Sequence, residues 1–155
     1  MIFREALISD IKQMHVVRLA VRENILSNPD LITQKDYEEF LTQRGKGWLC
    51  EIDNVVVGFS IVDLKEKDIW ALFVHPQYEG NGVGKKLQKL MLDWYFNQTK
   101  ENIHLTTAAN THAEKFYKST GWIETGRAEK FPSNPAFPPY IDVRFEMTFE
   151  DWNKK

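Results

Sequence analysis

The 155-residue chain contains a single cysteine, Cys50, and no surplus of basic residues. One cysteine cannot form an intramolecular disulfide or a cysteine metal cluster. The chain has 20 Lys and Arg residues against 22 Asp and Glu residues, and a net charge of -2 argues against a general nucleic-acid binder. It also has no apolar run of membrane-spanning length, and its N-terminus turns polar within a few residues. We therefore expect a cytoplasmic protein with neither a membrane nor a nucleic-acid partner.

Histidine is also sparse, and its spacing does not suggest a metal site. The four histidines show no His-x-x-x-His pair of the kind that a helix uses to hold zinc. We therefore predict that the protein binds no metal. The four positions are His15, His75, His104 and His112.

What the chain does contain suits one compact domain over residues 1–155, since 43% of its residues are hydrophobic and 13% are aromatic. Runs rich in β-branched and aromatic residues predict strands at "IFREAL", "WLCEIDNVVVGFSIVDL", "DIWALFV", "IHLTTAA" and "WIETG". Strict alternation predicts a last strand that carries Val143, Phe145, Met147 and Phe149 on one side. Apolar residues at helical spacing follow Ser9, Thr33, Gly84 and Thr111, and this spacing predicts four helices that begin near these positions. The pattern indicates a mixed α/β (α+β) fold.

Three of only eight glycines, Gly80, Gly82 and Gly84, fall within five positions at a predicted strand-to-helix junction. Backbone amides at such a junction can hold an anion. A nucleoside-triphosphate loop would need glycine at Glu79 and a hydroxyl residue at Lys86. A dinucleotide fingerprint would need different spacing, near the first strand of a repeated unit. A tight turn that binds nothing is the remaining alternative.

Two segments carry a resemblance to a known family. "IWALFVHPQYEGNGVGKKLQKLM" resembles the cofactor-binding segment of the GNAT superfamily of acyl-CoA N-acyltransferases, because residues 77–82 match Gln/Arg-x-x-Gly-x-Gly/Ala. A second register of the motif, Arg-Gly-x-Gly-x-Gly, begins two positions later, and the three glycines fit it. In that register Glu79 stands where the family usually has Arg or Gln, so we leave the Glu79 carboxylate out of the ligand shell. "NTHAEKFYKSTGW" is similar to a second family segment, with Trp122 where Phe is usual. The resemblance implies a mixed, mostly antiparallel sheet of about six to seven strands flanked by about four helices.

The resemblance also implies acetyl-CoA as the cofactor and acyl donor. The backbone of Leu72, Phe73 and Val74 would then pair with the pantetheine amides, and amides of residues 80–85 would hold the pyrophosphate. For Asn110, a position next to a helix cap is an equal alternative. The remaining implied cofactor-binding residues are Gln77, Gly80, Asn81, Gly82, Val83, Gly84, Lys85 and Phe116.

The implied reaction is direct attack of an amine on the acyl carbonyl. Tyr117 matches the family tyrosine that protonates the coenzyme sulfur, although a tyrosine at this spacing also fits a core stripe. Asp68 is the candidate base, because alternation would place it on the same side as Trp70 and Leu72. Glu51 and Glu23 are rival bases, and for each acid a solvated surface charge is the alternative.

The acceptor is expected to be a small-molecule or peptide amine. By family habit, residues 22–34 and the proline-rich residues 131–140 would recognise it. A non-catalytic acyl-CoA-binding module of the same fold is the runner-up hypothesis. A homodimer is a further option, in which the last strand and Trp152 would supply the interface, although a core strand explains its alternation equally well.

Overall fold

The computed structural model describes residues 1–21, 32–132 and 135–154. Within these residues, seven strands form one sheet and five α-helices flank it, so the α/β expectation is confirmed. The strands are β1 (Ile2–Glu5), β2 (Gly45–Ile52), β3 (Val55–Asp63), β4 (Asp68–Val74), β5 (Ile103–Ala108), β6 (Ile123–Lys130) and β7 (Tyr140–Met147). The helices are α1 (Ile11–Ala20), α2 (Gln34–Glu39), α3 (Val83–Gln98), α4 (His112–Ser119) and α5 (Phe149–Asn153).

The sheet order is β1-β2-β3-β4-β5-β7-β6, and all neighbours are antiparallel except β4 and β5. In the described part of the chain, β4 and β5 pair at one position only, Asp68 with His104. Beyond that pair the two strands diverge. The β4 backbone from residue 69 onward therefore has β3 on one side and no strand partner among the described residues on the other.

Two apolar clusters pack on the two faces of the sheet. The larger cluster joins α3 and α4 to one face, and the smaller one joins α1 and α2 to the other. Strand β4 contributes Leu72 and Val74 to the larger cluster, and Trp70 and Phe73 to the smaller one. The sheet is thus buried on both faces at β4. This packing holds β4 in place while its edge toward β5 stays unpaired from residue 69 onward.

Short polar sequences form the turn between β2 and β3 and the two helix starts predicted after Thr33 and Thr111, which are confirmed. Asp53 and Asn54 both have positive φ and form the tight turn between β2 and β3. The hydroxyls of Thr33 and Thr111 accept hydrogen bonds from backbone amides and begin α2 and α4. These polar residues start the elements because they satisfy amides that have no partner within the helix.

The end of the last strand was predicted wrongly. Strand β7 stops at Met147, and Phe149 is the first residue of α5. The Thr148 hydroxyl accepts a hydrogen bond of 3.0 Å from the Asp151 amide, and this cap ends the alternation. The short α5 is the reason why five helices flank the sheet rather than about four.

Strand β7 lies between β5 and β6, and its apolar side chains Val143, Phe145 and Met147 are buried in the larger cluster. The core therefore explains their alternation without a dimer interface. Trp152 packs against the same cluster, and its indole N–H donates to Asp93 at 2.9 Å. No helix among the described residues is both long and apolar enough to cross a membrane.

Candidate active site

A cleft of about 780 Å³ lies where β4 and β5 diverge, and most of the predicted site residues line it. The glycine segment and the start of α3 form one wall, and α4 and β5 contribute another. Four predicted residues, Asp68, Gln77, Asn81 and Asn110, are not among its lining residues. The predicted residues that line it are Leu72, Phe73, Val74, Gly80, Gly82, Val83, Gly84, Lys85, Phe116 and Tyr117.

The glycine segment makes a turn in which the backbone of most other residues would be strained. Gly80 and Gly82 have φ values of 81° and 79°, a conformation that L side chains rarely adopt. Gln77 and Asn81 stabilise the turn itself: the Gln77 backbone N–H donates to His75 Nδ1, and the Asn81 side chain donates to the Tyr78 carbonyl. These two residues therefore have structural contacts, and their direct binding roles stay predictions.

Helix α3 begins at this turn without a side-chain cap. Gly82 precedes the helix and has no side chain, whereas α2, α4 and α5 are each capped by a threonine hydroxyl. The first helical hydrogen bond runs from the Lys86 N–H to the Gly82 carbonyl oxygen, at 3.1 Å. The preceding amides of residues 83–85 have no acceptor within the helix, and the helix dipole adds positive potential there. The arrangement can hold an anionic group in the cleft.

Three elements meet closely beside these amides. A Cβ atom on Gly84 would lie 3.5 Å from a Val74 methyl and 3.6 Å from the Phe116 ring. The end of β4, the start of α3 and the side of α4 are thus in contact at one point. The free edge of β4 and the uncapped end of α3 consequently open into the same cleft.

Tyr117 lies on α4 with 6% of its surface exposed, and it lines the cleft. Its ring packs against Phe116, Trp122 and Phe145. It is therefore part of the core stripe and of the cleft wall at once. Burial raises the pKa of its hydroxyl above the ordinary value of 10, so the phenol stays protonated at neutral pH. Chemically, it can donate a proton into the cleft but cannot act as a base there.

Asn110 lies in the turn before α4 with a φ of 63°. Its backbone N–H donates to the buried carboxylate of Glu114 at 2.8 Å, and Glu114 also pairs with Arg127 and Lys118. Those contacts lower the pKa of Glu114, led by the bond from Asn110. The position fits the helix-cap alternative, and a coenzyme contact of Asn110 stays a prediction.

The alternation argument for Asp68 is wrong, because β4 contains a bulge. Ile61 pairs with Ala71 and Val62 pairs with Ile69, so Trp70 is an extra residue without a partner on β3. Trp70 and Leu72 consequently pack in opposite clusters. Asp68 lies at the closed end of the divergence, outside the cleft lining, and its role as the base stays a prediction without that support.

Asp68 is nevertheless an unusual carboxylate. One of its oxygens, Oδ1, is buried and has no hydrogen-bond partner among the described residues. Burial, reinforced by the negative charge of Asp63 directly across the β3–β4 pair, raises the pKa of Asp68 from 3.8 to about 6. Arg44 pairs with Asp63 at 2.5 Å and also lowers the pKa of Asp68, but it has a smaller effect on that pKa than Asp63 has.

We expect Asp68→Asn to stabilise the protein at neutral pH. The folded state disfavours the ionised form of Asp68, so ionised Asp68 destabilises the wild-type protein. This destabilisation is complete above pH 6, shrinks between pH 6 and 4, and vanishes below the unfolded pKa of 3.8. Solvent around the partly exposed side chain screens some of this cost, so we expect a gain of about 1–3 kcal/mol, or about 2–12 °C in Tm. Thermal melts of both proteins at pH 7.5 and pH 4 measure it.

Asp53→Asn is the matched control, since Asp53 lies exposed in the β2–β3 turn. It should change Tm by little at either pH. Equal melting of wild type and Asp68→Asn at pH 7.5 would contradict the burial argument. Loss of turnover in a stabilised Asp68→Asn protein would instead support the role of Asp68 as the base.

The other acids have different positions. Glu51 pairs with Arg4, which also binds Asp10, and it does not line the cleft. Glu23 lies outside the described residues, as does most of the predicted acceptor segment 22–34. Glu79 lines the cleft, and the exclusion of its carboxylate from the ligand shell stays a prediction.

Sequence reasoning missed part of the cleft lining. Asp142, at the start of β7, lines the cleft, and burial raises its pKa above the ordinary value. In the sequence it is one of several polar residues that alternate with core positions, so nothing separates it from a surface acid. Of the proline-rich segment, Tyr140 lines the cleft, and residues 133–134 lie outside the described residues.

Within the described residues, no three His, Cys, Asp or Glu side chains group closely enough to hold a metal ion. The expectation that the protein uses no metal stays a prediction. The cleft lining offers backbone amides, a strand edge, a buried phenol, and both acidic and basic side chains.

Comparison with known proteins gives a family for this cleft. A family model described as "Acetyltransferase (GNAT) family" matches residues 11–122, which include the glycine segment and Tyr117. The chain belongs to the GNAT acetyltransferase family. This finding confirms the resemblance that the two sequence segments carry.

Individual relatives agree with the family. An uncharacterized N-acetyltransferase from Archaeoglobus fulgidus is 31% identical over 97 residues, which cover 55% of this chain. The match spans 66% of that relative's length, just under two thirds.

Solved structures show the same GNAT fold. A ribosomal-protein-alanine N-acetyltransferase from Brucella melitensis matches with a TM-score of 0.79 at 15% identity, covering 96% of this chain and 99% of that one. A putative streptothricin acetyltransferase from Bacillus anthracis, solved with acetyl coenzyme A, matches with a TM-score of 0.71 at 17% identity, covering 95% and 98%. At these identities the likeness supports the fold alone.

Proposed function

We propose that this GNAT protein transfers the acetyl group of acetyl-CoA to a primary amine. The observation that carries the proposal is the meeting of an unpaired β4 edge and an uncapped α3 N-terminus in one cleft. A coenzyme with amides along one arm and a pyrophosphate at its other end needs both features. The relative solved with acetyl coenzyme A, which shares the fold, supports the choice of donor.

In this proposal the residues of the chain divide the work by position. The backbone of residues 72–74 orients the donor's amide arm, and the amides of residues 83–85 bind its pyrophosphate. Acetyl-CoA supplies the acyl thioester. The backbone N–H near Phe73 or Val74 would stabilise the negative charge that develops on the acyl oxygen.

The transfer forms an N–C bond to the acceptor and breaks the C–S bond of the thioester. The amine loses one proton to a base or to water, and the departing thiolate gains one from the Tyr117 hydroxyl. A protonated phenol lining the cleft is suited to that second step. The acceptor is a small-molecule or peptide amine.

We expect acetyl-CoA to raise the Tm of the purified protein. A ligand at about 100 times its Kd adds about 2.7 kcal/mol, which corresponds to about 5–11 °C for a chain of this size. Millimolar ATP and NAD serve as controls, because each carries phosphates without a pantetheine arm. No shift with acetyl-CoA, or an equal shift with ATP, would contradict the proposal.

Four further expectations stay predictions: a single domain over residues 1–155, a cytoplasmic location, a homodimer and the absence of a metal. Composition and spacing support the first, second and fourth. The homodimer rests on family habit. Sedimentation of the purified chain would decide that last expectation.

A further inference from the structure

Arg18, on α1, is a buried arginine without a charged partner. Only 3% of its surface is exposed, and it forms no ion pair within the described residues. Its Nε is buried and has no hydrogen-bond acceptor in the same part of the chain. By contrast, the half-buried Arg44 pairs with Asp63. Leaving a charged group buried and unpaired is costly, so this arrangement needs an explanation.

Four aromatic rings surround the Arg18 guanidinium, and we call them the aromatic box. Its carbon lies 4.6 Å from the ring centroid of Trp70 and 5.0 Å from that of Phe73. The corresponding distances to Tyr37 and Phe59 are 5.3 and 6.0 Å. The ring faces attract the cation, but they do not replace the in-plane acceptors that a guanidinium prefers.

Tyr37 does not supply the missing acceptor. Its hydroxyl is within 3.0 Å of His15 Nδ1. Burial raises the pKa of Tyr37 to about 12, so it stays neutral at physiological pH. Burial also lowers the pKa of Arg18, yet arginine starts so high that it stays charged. The box therefore holds one fixed positive charge without a negative partner among the described residues.

The aromatic box adjoins the cleft through two of its four rings, whereas Arg18 itself is not among the lining residues. Trp70 and Phe73 belong to the box and also line the cleft. Val21, which donates its backbone N–H to the Arg18 carbonyl, lines the cleft as well. The β4 bulge makes this possible, because it turns Trp70 to the α1 face, where its ring stacks on Phe40 at 4.2 Å.

We propose that Arg18 binds a carboxylate of the acceptor, which is a small amino-carboxylic acid. This inference rests on the proposed acetyl transfer. A carboxylate offers two coplanar oxygens that match the guanidinium fork, and its single charge matches the single cation of the box. The Arg18 guanidinium lies 5.0 Å from the ring centroid of Phe73, whose backbone belongs to the strand proposed to hold the donor, so a carboxylate at Arg18 would bind near the acyl group. The amine and the carboxylate are therefore separated by only a few bonds.

The test compares amines that differ only in the carboxylate. Thiol release from acetyl-CoA is followed with a panel of α-, β- and γ-amino acids, each beside its own carboxamide. A polyamine and a lysine-containing peptide with blocked termini complete the panel. We expect at least one free acid to exceed its amide by about 100-fold in kcat/KM, since two charge-assisted hydrogen bonds are lost in the amide.

Three variants locate that preference. Arg18→Met keeps the length of the side chain and removes its charge, so the ratio of acid to amide should fall to near one, mainly through KM. Arg18→Lys keeps the charge without the fork and should retain part of the ratio. Lys12→Met removes one positive charge from the exposed side of the same helix and should leave the ratio unchanged.

Stability provides a second measurement. If Arg18 is kept for binding, Arg18→Met should melt at or above the temperature of the wild type, because an unpaired buried charge has been removed. A lower Tm together with an unchanged acid-to-amide ratio would assign Arg18 to packing and overturn the proposal.

Failure of this inference can be told apart from failure of the proposed function. Turnover of the polyamine, the peptide or the amides at rates equal to the acids would keep the acetyltransferase and overturn the carboxylate site. Stabilisation by acetyl-CoA without turnover of any panel member would keep the cofactor and overturn the proposal that the acceptor is an amino-carboxylic acid. Absence of both stabilisation and turnover would remove the proposed function itself.

Discussion

Tyr117→Phe is expected to lower kcat by about 100-fold or more while the affinity for acetyl-CoA stays unchanged. The substitution removes one hydroxyl from a residue that lines the cleft, and the ring contacts with Phe116, Trp122 and Phe145 remain. Positioned acids contribute about 10²- to 10⁴-fold to reactions of this kind. Steady-state thiol release gives kcat, and thermal shift with acetyl-CoA gives the affinity.

Tyr95→Phe is the matched control. Tyr95 is fully buried on α3, does not line the cleft, and its hydroxyl donates to the Asn102 carbonyl at 3.4 Å. Its loss should cost about 1 kcal/mol of stability and leave kcat unchanged. Equal kcat for wild type and Tyr117→Phe would assign Tyr117 to the core stripe. Cofactor binding without turnover in the wild type would favour the non-catalytic module.

Local signals predicted the elements around the cleft well. The glycines predicted the turn, because a backbone with positive φ favours glycine. The helical spacing of apolar residues after Gly84 predicted the start of α3. Tyr117 was located through a motif rather than through periodicity, since its spacing fits the core as well. The sequence could not decide between these roles because the residue serves as both core and wall.

Features that depend on strand pairing were not predictable in the same way. The bulge at Trp70 leaves no mark in "DIWALFV", and it reverses the side on which the residues before it lie. The shared side of Trp70 and Leu72, on which the argument for Asp68 rested, was therefore predicted wrongly, and the aromatic box was missed. On α1, Val17 and Arg18 both fit the apolar spacing, and both are buried. Only the tertiary packing shows that the buried arginine lies among four rings.

The pairing of β2 with β3 provides the second large expected effect, at Gly45. This residue starts β2 opposite Asp63. A Cβ added there would lie 1.7 Å from the Val62 carbonyl oxygen and 2.8 Å from its carbon. Both are backbone atoms of β3, so relief of the clash requires a shift of the strand rather than a side-chain rotation. The neighbouring Arg44–Asp63 ion pair would have to move with it.

We expect Gly45→Ala to lower the free energy of unfolding by about 3 kcal/mol or more, which corresponds to about 6–12 °C in Tm. Gly126→Ala is the control, because Gly126 lies on the exposed strand β6 and a Cβ there has no atom within 4 Å. That change should stay within about 0.5 kcal/mol of the wild type. Similar melting temperatures for the two variants would mean that the β2–β3 pairing yields at this end. In that case Asp68, which pairs with Asp63 on the other side of β3, would also have room to reach water.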